Sequence, residues 1–319
     1  MIARAFALYV LVGACVNAQT LWTESRPFTA ADWTWGPGGK EMAPRPPFAF
    51  VKERFSGTNP KVEVKDAADT HWIVKFGPEA HTDTFAARFV SALGYAAEPI
   101  FYVDKGSIEG IRDLKRAKRF VSKDGSFRSA RFKLHVKGSS EDDANETWAW
   151  NENPFVGSRE LGGLKIIVML MSNWDTKDAR QGKGNSNTGI IHPDSKARYA
   201  VTDWGATFGK NGGFFSRNRW DWVSYRIQTE GFVKMSKDGT LKWRFDGRNR
   251  RDITGDVGVA DVVWLNRYLS RITDEDLKTG FVASGASEAV AREYTRLMRD
   301  RIIQLQRVAQ SQGENRAAR

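Results

Sequence analysis

The chain has 319 residues, one cysteine, four histidines and a formal net charge of +11. A single cysteine cannot form an internal disulfide, and no Cys/His run has zinc-finger spacing, so disulfide scaffolds and structural zinc domains are excluded. With 41% hydrophobic and 27% charged residues, the composition is that of a folded globular protein. The excess of Lys and Arg, taken alone, favours nucleic acid or an anionic surface as a partner.

The first 18 residues predict a secretory signal peptide. A short basic start ends at Arg4, an apolar run covers 5–16, and small residues precede a cleavage site after Ala18. Because LVGAC weakly resembles a bacterial lipobox, a lipid anchor at Cys15 is the alternative to cleavage. No later segment approaches eighteen consecutive apolar residues, so we expect no transmembrane segment. Export makes nucleic acid an unexpected partner, in spite of the positive charge.

The N-terminal half has the pattern of a β-rich region. Residues 19–50 are rich in Trp, Pro and Gly and predict an irregular N-terminal extension. Segments 61–64 and 71–76 predict two strands joined as a hairpin. Pro78 suits the first turn of a helix, which the apolar spacing extends over residues 79–93. Further strands are predicted at 99–103 and 130–136.

The C-terminal half has a predominantly helical pattern, so the sequence predicts an α+β protein. A largely apolar helix is predicted at 159–173, and a polar loop at 176–187 follows it. Thr273 and Asp276 form a capping-box pattern at the start of a helix. The other predicted elements are strands at 189–192 and 199–202, a loop-rich stretch at 209–256, helices at 274–283 and 288–308, and a disordered tail at 311–319.

Several polar residues follow these elements in an order that suits phosphoryl transfer. Transfer from ATP requires positive charge on the phosphates, Mg²⁺ held by oxygen ligands, and a carboxylate beside the acceptor oxygen. The chain presents a strand lysine at Lys75, an acidic helix, Asp175 after a buried helix, a polar loop, and Asp203 in an Asp-x-Gly turn. Kinase-like folds supply these groups in the same order.

In this order of elements the sequence resembles the atypical branch of the protein-kinase-like superfamily, which includes HipA-like, phosphoinositide-kinase-like and secreted CotH-like and Golgi casein kinase-like kinases. The resemblance covers residues 50–310. The sequence resembles uncharacterised exported bacterial proteins more closely still, but that resemblance implies no established activity. The segments that carry this closer resemblance are VKFGPE at 74–79, NPFVGSRELGGLK at 153–165, NWDTKD at 173–178 and DWGATFG at 203–209.

The resemblance to kinases implies a two-lobed protein-kinase-like fold, with a β-rich N-lobe at 51–140 and a mainly helical C-lobe at 141–310. It also implies ATP and Mg²⁺ (or Mn²⁺) as cofactors. Lys75 would contact the α- and β-phosphates, with Glu79 or Asp83 as its acidic partner. Asp175 would be the catalytic carboxylate, and Asp203 would hold the metal ion. The loop that would cover the phosphates contributes Ser56, Gly57 and Lys61.

The sequence departs from the kinase pattern at the second metal ligand. Kinases place an Asn five residues after the catalytic Asp, and that position is Arg180 here. Asn185 and Asn187 are the next candidates, and Asn187 suits the role better because a predicted strand follows it directly. Asp178 competes with Asp175 for the catalytic role. The chain also lacks an HRD triplet and a complete GxGxxG loop.

Two other functions compete with an active kinase. Since ATP is expected to be scarce outside the cytoplasm, one is an inactive, pseudokinase-like binding protein. The other is a secreted carbohydrate- or envelope-binding protein that stacks sugars on the tryptophans of WTW (33–35), WAW (148–150) and WDW (220–222), because period two on a strand places both rings on one face. The acceptor of a phosphoryl group, whether protein, glycan or small molecule, is not predicted by the sequence.

Overall fold

The computed structural model describes residues 19–57, 59–135, 146–182, 184–193 and 196–317. The predicted signal peptide, with Cys15 and the cleavage site at Ala18, lies outside the described residues. Its removal or lipidation therefore stays a prediction. The described chain is a mixed α+β structure, with a strand-rich N-terminal region and a helical C-terminal region, as the sequence predicts.

Five strands of the N-terminal region close into a barrel in the order β1-β2-β3-β5-β4. Neighbouring strands are antiparallel, except that β1 and β4 close the barrel in parallel. The predicted hairpin at 61–76 is confirmed by the pairing of β2 with β3. The strands are β1 (Phe48–Arg54), β2 (Lys61–Lys65), β3 (His71–Phe76), β4 (Ile100–Glu109) and β5 (Ser126–Leu134).

The register of the barrel separates an apolar interior from a basic outer face. Val62, Val74 and Phe132 are paired across β2, β3 and β5, and all three are buried in the barrel core. Because side chains alternate along a strand, the neighbouring positions point outward. One outward row therefore contains Lys61, Lys75 and Arg131, and the next contains Glu63, Ile73 and Lys133. This row of cations is the surface on which the site is built.

Helix α2 (Pro78–Ala92) lies between β3 and β4 and is confirmed almost to the residue. Pro78 occupies its first turn, where a missing N–H costs nothing. The side chains of Phe85 and Phe89 enter the core of the helical region, and Phe85 stacks on Phe281 with ring centroids 3.7 Å apart. The helix thus joins the barrel to the helical region.

The segment at 19–50 contains regular structure, so the prediction of an irregular extension is wrong in part. Helix α1 (Ala30–Trp35) and a 3-10 helix at Lys40–Met42 lie within it, and β1 begins before it ends. The fully buried guanidinium of Arg88 donates to the carbonyl oxygen of Trp33 at 2.9 Å and so holds α1 against α2. Helices this short carry too few residues for an apolar period to be visible.

The helical region is organised around α3, whose side chains from position 161 to position 170 are all buried. The predicted helices at 159–173 and 274–283 are confirmed, the second with its Thr273–Asp276 capping box. The region contains helices α3 (Arg159–Leu170), α4 (Gly213–Ser216), α5 (Trp222–Thr229), α6 (Arg250–Thr254), α7 (Val259–Leu269), α8 (Asp274–Ala283) and α9 (Glu288–Ala317), and hairpins β6 (Thr188–Ile191) with β7 (Arg198–Val201) and β8 (Val233–Met235) with β9 (Leu241–Trp243).

Three predictions for this region are corrected. The stretch at 209–256 contains α4, α5, β8, β9 and α6, which are too short to produce a periodic signal. Helix α7 was not predicted, although Asp261 in its first turn accepts from the N–H of Gly258 at 2.8 Å. Helix α9 continues to Ala317, into the segment predicted to be a disordered tail. Within the described ranges, no helix has the length and apolar character needed to cross a bilayer.

The paired tryptophans are core residues rather than a binding platform. Trp33 is 1% exposed and lies on α1, where residues two apart point in nearly opposite directions. Trp148 and Trp150 are 4% and 1% exposed and pack edge to face at 4.8 Å. Trp220 and Trp222 are partly buried against the same core. Trp33, Trp148 and Trp150 are therefore not available for stacking a sugar, so neither WTW nor WAW presents the pair of rings on one face that the platform interpretation requires.

His81 on α2 predicts a loss of stability in mild acid. Its Nδ1–H donates to the Ser284 carbonyl at 2.8 Å, and its Nε2 accepts from the Ser129 hydroxyl at 3.0 Å. Burial lowers the pKa of His81, although the Ser284 carbonyl and Asp104 oppose the shift. Since the folded-state pKa lies below the unfolded value of about 6.5, this stability is present above pH 6.5 and is lost as the pH falls.

We therefore expect the free energy of unfolding of His81→Gln to fall less between pH 7.5 and pH 5 than that of the wild type. Urea denaturation at several pH values measures the difference. His192→Gln is the control, because His192 is half-exposed and pairs with Glu146 at the surface. It should keep the wild-type slope. Equal slopes for the wild type and His81→Gln would contradict the assignment.

Candidate functional site

A cleft of about 250 Å³ lies between the basic outer face of the barrel and the loops of the helical region. Its walls come from the β1–β2 loop, β2, β3, α2 and β5 on one side. The turns after α3 and β7 and the loop before β6 form the other. Of the ten residues singled out from the sequence, nine line this cleft: Ser56, Gly57, Lys61, Lys75, Glu79, Asp175, Asn185, Asn187 and Asp203.

Lys75 lies at the centre of the cleft, between two carboxylates. Its Nζ is 3.4 Å from Glu79 Oε2 and 3.7 Å from Asp203 Oδ2. The side chains of Lys75 and Glu79 are 9% and 6% exposed, whereas that of Asp203 is 37% exposed. Lys75 is therefore not a solvated surface residue. Of Lys75, Glu79 and Asp203, only Asp203 is exposed enough for a solute to reach it.

Asp203 is held as a carboxylate by its surroundings. Burial alone would raise its pKa, but Lys75, the backbone N–H of Gly205 and the nearby Arg131 and Lys133 outweigh it and lower the pKa to about 2. The N–H of Gly205 donates to Asp203 Oδ1 at 2.8 Å. The group is thus ionised throughout the neutral range, as a cation ligand must be.

The glycine of the Asp-Trp-Gly turn is required by close packing. A Cβ at Gly205 would lie 2.8 Å from Glu79 Cδ and 2.9 Å from Asp203 Oδ1. Both distances are shorter than a carbon atom tolerates, and both side chains belong to the site. The absence of a side chain at this position is what lets α2 and the Asp203 turn meet around Lys75.

Asp83, the alternative partner of Lys75, does not line the cleft. It lies one turn after Glu79 on α2 and is buried, with Oδ2 accepting from Arg131 Nε at 2.8 Å and Oδ1 accepting from the N–H of Trp204 at 3.1 Å. Burial raises its pKa, and Arg131 opposes the shift. Asp83 therefore links α2, β5 and the Asp203 turn, and its predicted role in binding the cofactor is corrected to a positioning role.

Asp175, rather than Asp178, faces the cleft. The carboxylate of Asp175 is 3.2 Å from Lys177 Nζ and 3.0 Å from Arg248 Nε. Asp178 is fully buried, begins a 3-10 helix, and accepts from the guanidinium of Arg180 and from the N–H of Trp150. Asp178 is thus a structural residue, held by its partner Arg180.

Asn187 is fixed by hydrogen bonds to the backbone of the segments that carry Asp175 and Asp203. Its N–H donates to the Lys177 carbonyl at 3.0 Å, and its carbonyl accepts from the N–H of Thr202 at 2.9 Å. Its Nδ2 donates to the Asp175 carbonyl at 2.5 Å, which leaves Oδ1 as the side-chain atom able to bind a cation. Asn185 also lines the cleft but is exposed and lies in the loop. Asn187 is therefore the better candidate.

Several polar residues of the cleft were missed in the sequence, among them Asn59, Lys133 and Arg219. Asn59 and Arg219 both contact Glu79 Oε1, and Lys133 lies on the cleft wall and pairs with Glu98 at 2.6 Å. Arg219 is 140 positions from Glu79 in a stretch without periodicity, so no local signal points to it. Lys133 follows from the register of β3 with β5, which only the folded sheet reveals.

The donor set fits a nucleotide-bound Mg²⁺. Within the described ranges, no group of three or more His, Cys, Asp or Glu side chains is arranged to hold a metal ion. Mg²⁺ that accompanies a nucleotide takes only one or two protein ligands, because phosphates and water complete its shell. The Asp203 carboxylate and Asn187 Oδ1 are hard oxygen donors of this kind, and Lys75 beside them suits the phosphates.

No protein-family model matches this sequence, and no curated protein matches it. The chemistry of the cleft is therefore the basis for a functional assignment. Lys61, Lys75 and Lys133 line the barrel side of the cleft, and Asp175 and Asp203 line the other side, where Lys177 lies beside Asp175. Such a cleft is suited to an anion that arrives with a divalent cation.

The buried Asp83–Arg131 pair should be important for stability. In Asp83→Asn the amide still accepts from Trp204, but Arg131, which is 2% exposed, loses its buried counter-charge. We expect a cost of about 3–5 kcal/mol in the free energy of unfolding, measured by guanidinium denaturation. The control is Asp69→Asn, which breaks the exposed pair with Lys65 and should leave the free energy of unfolding nearly unchanged. Equal costs for the two variants would contradict the role of Asp83.

Proposed function

We propose that this protein is an exported, atypical kinase-like phosphotransferase that binds Mg-ATP in the cleft and transfers the γ-phosphoryl group to a hydroxyl acceptor. The proposal depends on one observation above all. Lys75 lies between Glu79 and Asp203, in the same cleft as Asp175 and Asn187. The two-lobed kinase-like fold is part of the proposal. It is supported by a barrel with a helix between β3 and β4, followed by a helical region.

The cations of the barrel would bind the phosphates. Lys61 and Lys75 are cross-strand neighbours on the outer face of β2 and β3, and both line the cleft. Ser56 and Gly57 belong to the β1–β2 loop that borders the same cleft, so this loop is placed to cover a bound phosphate chain. Glu79 orients Lys75 through their contact at 3.4 Å.

The two oxygen donors would hold the metal ion, and Asp175 would orient the acceptor. Asn187 and Asp203 flank the open end of the β6–β7 hairpin, Asn187 directly before β6 and Asp203 two residues after β7. When bound, Mg²⁺ neutralises charge on the transferring phosphates. The carboxylate of Asp175 is partly exposed to the cleft and is able to accept a hydrogen bond from a hydroxyl group.

An inactive, pseudokinase-like binding protein is the second candidate. It requires the same nucleotide contacts and differs only in the absence of transfer. Two observations favour it: Arg180 stands where kinases carry the metal-binding Asn, and ATP is expected to be scarce outside the cytoplasm. A sugar-binding protein is disfavoured, because Trp33, Trp148 and Trp150 are buried.

Nucleotide binding is tested by thermal shift with Mg-ATP and Mn-ATP. At a hundred times the Kd, the ligand should stabilise the wild type by about 2.7 kcal/mol. Asp203→Asn keeps the acceptor for Gly205 but removes the charge, and Lys75→Met removes the phosphate contact. We expect both variants to lose most of the shift, whereas Asp69→Asn keeps it. A wild type that shows no shift would refute nucleotide binding.

Transfer is tested separately with Asp175→Asn. If Asp175 orients the acceptor, the variant should retain the Mg-ATP shift but lose at least a hundredfold in phosphoryl transfer, the lower end of what a general base contributes. The assay follows the γ-phosphate of labelled ATP, with cell-envelope extract, glycans and proteins as acceptors and hydrolysis as the background. Binding without any transfer by the wild type would assign the protein to the pseudokinase-like class.

A further inference from the structure

Four basic side chains surround Trp174 and Asp175 at the mouth of the cleft, and we call them the basic rim. The guanidinium carbons of Arg217 and Arg219 lie 4.7 and 5.6 Å from the centre of the Trp174 ring. Lys177 and Arg248 approach the Asp175 carboxylate at 3.2 and 3.0 Å. The members of the rim are Lys177, Arg217, Arg219 and Arg248.

The rim is held in place by hydrogen bonds between its segments and the turn that carries Asp175, each accepted by a backbone carbonyl. The indole N–H of Trp174 donates to the Asn218 carbonyl at 2.9 Å, and Trp174 itself is 3% exposed. The N–H of Arg248 donates to the Trp174 carbonyl at 2.9 Å. The amide of Asn249 donates to the Thr176 carbonyl at 2.8 Å. Three chain segments that are remote in sequence are thus fixed around one indole ring.

The rim extends out of the nucleotide cleft. Lys177 and Arg219 line the cleft, but Arg217 and Arg248 do not. A phosphate chain bound at Lys75 would therefore leave Arg217 and Arg248 on the outer side of Asp175. That is the side from which an acceptor must reach a carboxylate at the mouth of the cleft.

Of the four side chains of the rim, Arg217 makes the fewest contacts with charged groups. Arg219 is bound to Glu79, and Arg248 and Lys177 contact Asp175. Among the described residues, no hydrogen bond or ion pair to the guanidinium of Arg217 occurs, and the side chain is exposed. A guanidinium stacked on an aromatic ring keeps its N–H edge free and is already oriented, so it is suited to bidentate binding of an oxyanion.

We propose that the acceptor is a small hydroxyl compound that carries an anionic group, a phosphate, sulfate or carboxylate, and that Arg217 and Arg248 bind this group while Asp175 orients the hydroxyl. The inference rests on the proposed function. A single anionic group is favoured over an acidic protein segment, because Arg217 is the one guanidinium of the rim without a hydrogen-bond or ion-pair partner among the described residues. The segment of Arg248 also carries an acidic side chain: Asp246, two residues before Arg248, is exposed and contacts Asn211 at 3.5 Å.

Inorganic phosphate and sulfate are the probes for the rim. Each is titrated by calorimetry into the full chain saturated with Mg²⁺ and a non-hydrolysable ATP analogue, so that the nucleotide cleft is blocked. We expect one site, with binding about tenfold weaker in Arg217→Gln, the loss expected for hydrogen bonds to a charged group. Arg226→Gln is the matched control, because Arg226 stacks on Trp222 at 5.6 Å away from the cleft. It should bind phosphate as the wild type does.

Competition then identifies the carrier of the anion. Glycerol 3-phosphate and glucuronate should displace phosphate from the wild type, whereas glycerol and glucose should not. Phosphate binding that is absent, or unchanged in Arg217→Gln, would overturn the proposal. So would displacement by an acidic, serine-containing peptide at lower concentration than by either small anion.

The two proposals fail in distinguishable ways. If the protein does not bind the nucleotide analogue but binds phosphate through Arg217, the kinase-like function is refuted and the anion site remains. If the protein binds the analogue but not phosphate, the nucleotide site remains and the anionic acceptor is refuted.

Discussion

The placement of one ammonium group between two carboxylates organises this molecule. Lys75 belongs to the barrel, Glu79 to α2, and Asp203 to the turn that enters the helical region. A second link runs parallel to the first, because Asp83 joins Arg131 of the barrel to the backbone of the Asp203 turn. The two links share α2, so this helix determines how the outer face of the barrel meets the turns that carry the oxygen donors.

The separation of apolar and charged residues in the barrel allows Lys75 and its neighbouring cations to be buried without weakening the barrel core. The interior row of Val62, Val74 and Phe132 is fully buried. The outward row would carry three cations into solvent in an isolated barrel, but α2 and the Asp203 turn cover it with acidic groups. Buried lysine and arginine side chains require such partners, since a buried charge without a counter-ion is strongly destabilising. The electrostatic requirements of the fold and of the site are therefore met by the same residues.

Much of the fold was predictable where the sequence carries a long or sharply punctuated pattern. The hairpin at 61–76, α2 after Pro78, and α8 with its capping box follow from alternation, proline and the Thr273–Asp276 pair. Nine of the ten candidate residues meet in one cleft because element order constrains which loop ends lie together. Arg219, Asn59 and the rim residue Arg217 were not predictable, since they reach the site from loops whose conformation depends on tertiary hydrogen bonds.

Arg180 fastens the loop after Asp175 to the helical region. Its guanidinium binds both Asp178, which is fully buried, and Asp252 on α6. An asparagine at this position would leave the buried Asp178 carboxylate without its arginine partner and would remove one of the contacts between α6 and the loop after Asp175, where Asn249 also donates to the Thr176 carbonyl. The position five residues after Asp175 is thus committed to the packing of the loop, and it is the far end of the same loop, at Asn185 and Asn187, that reaches the cleft.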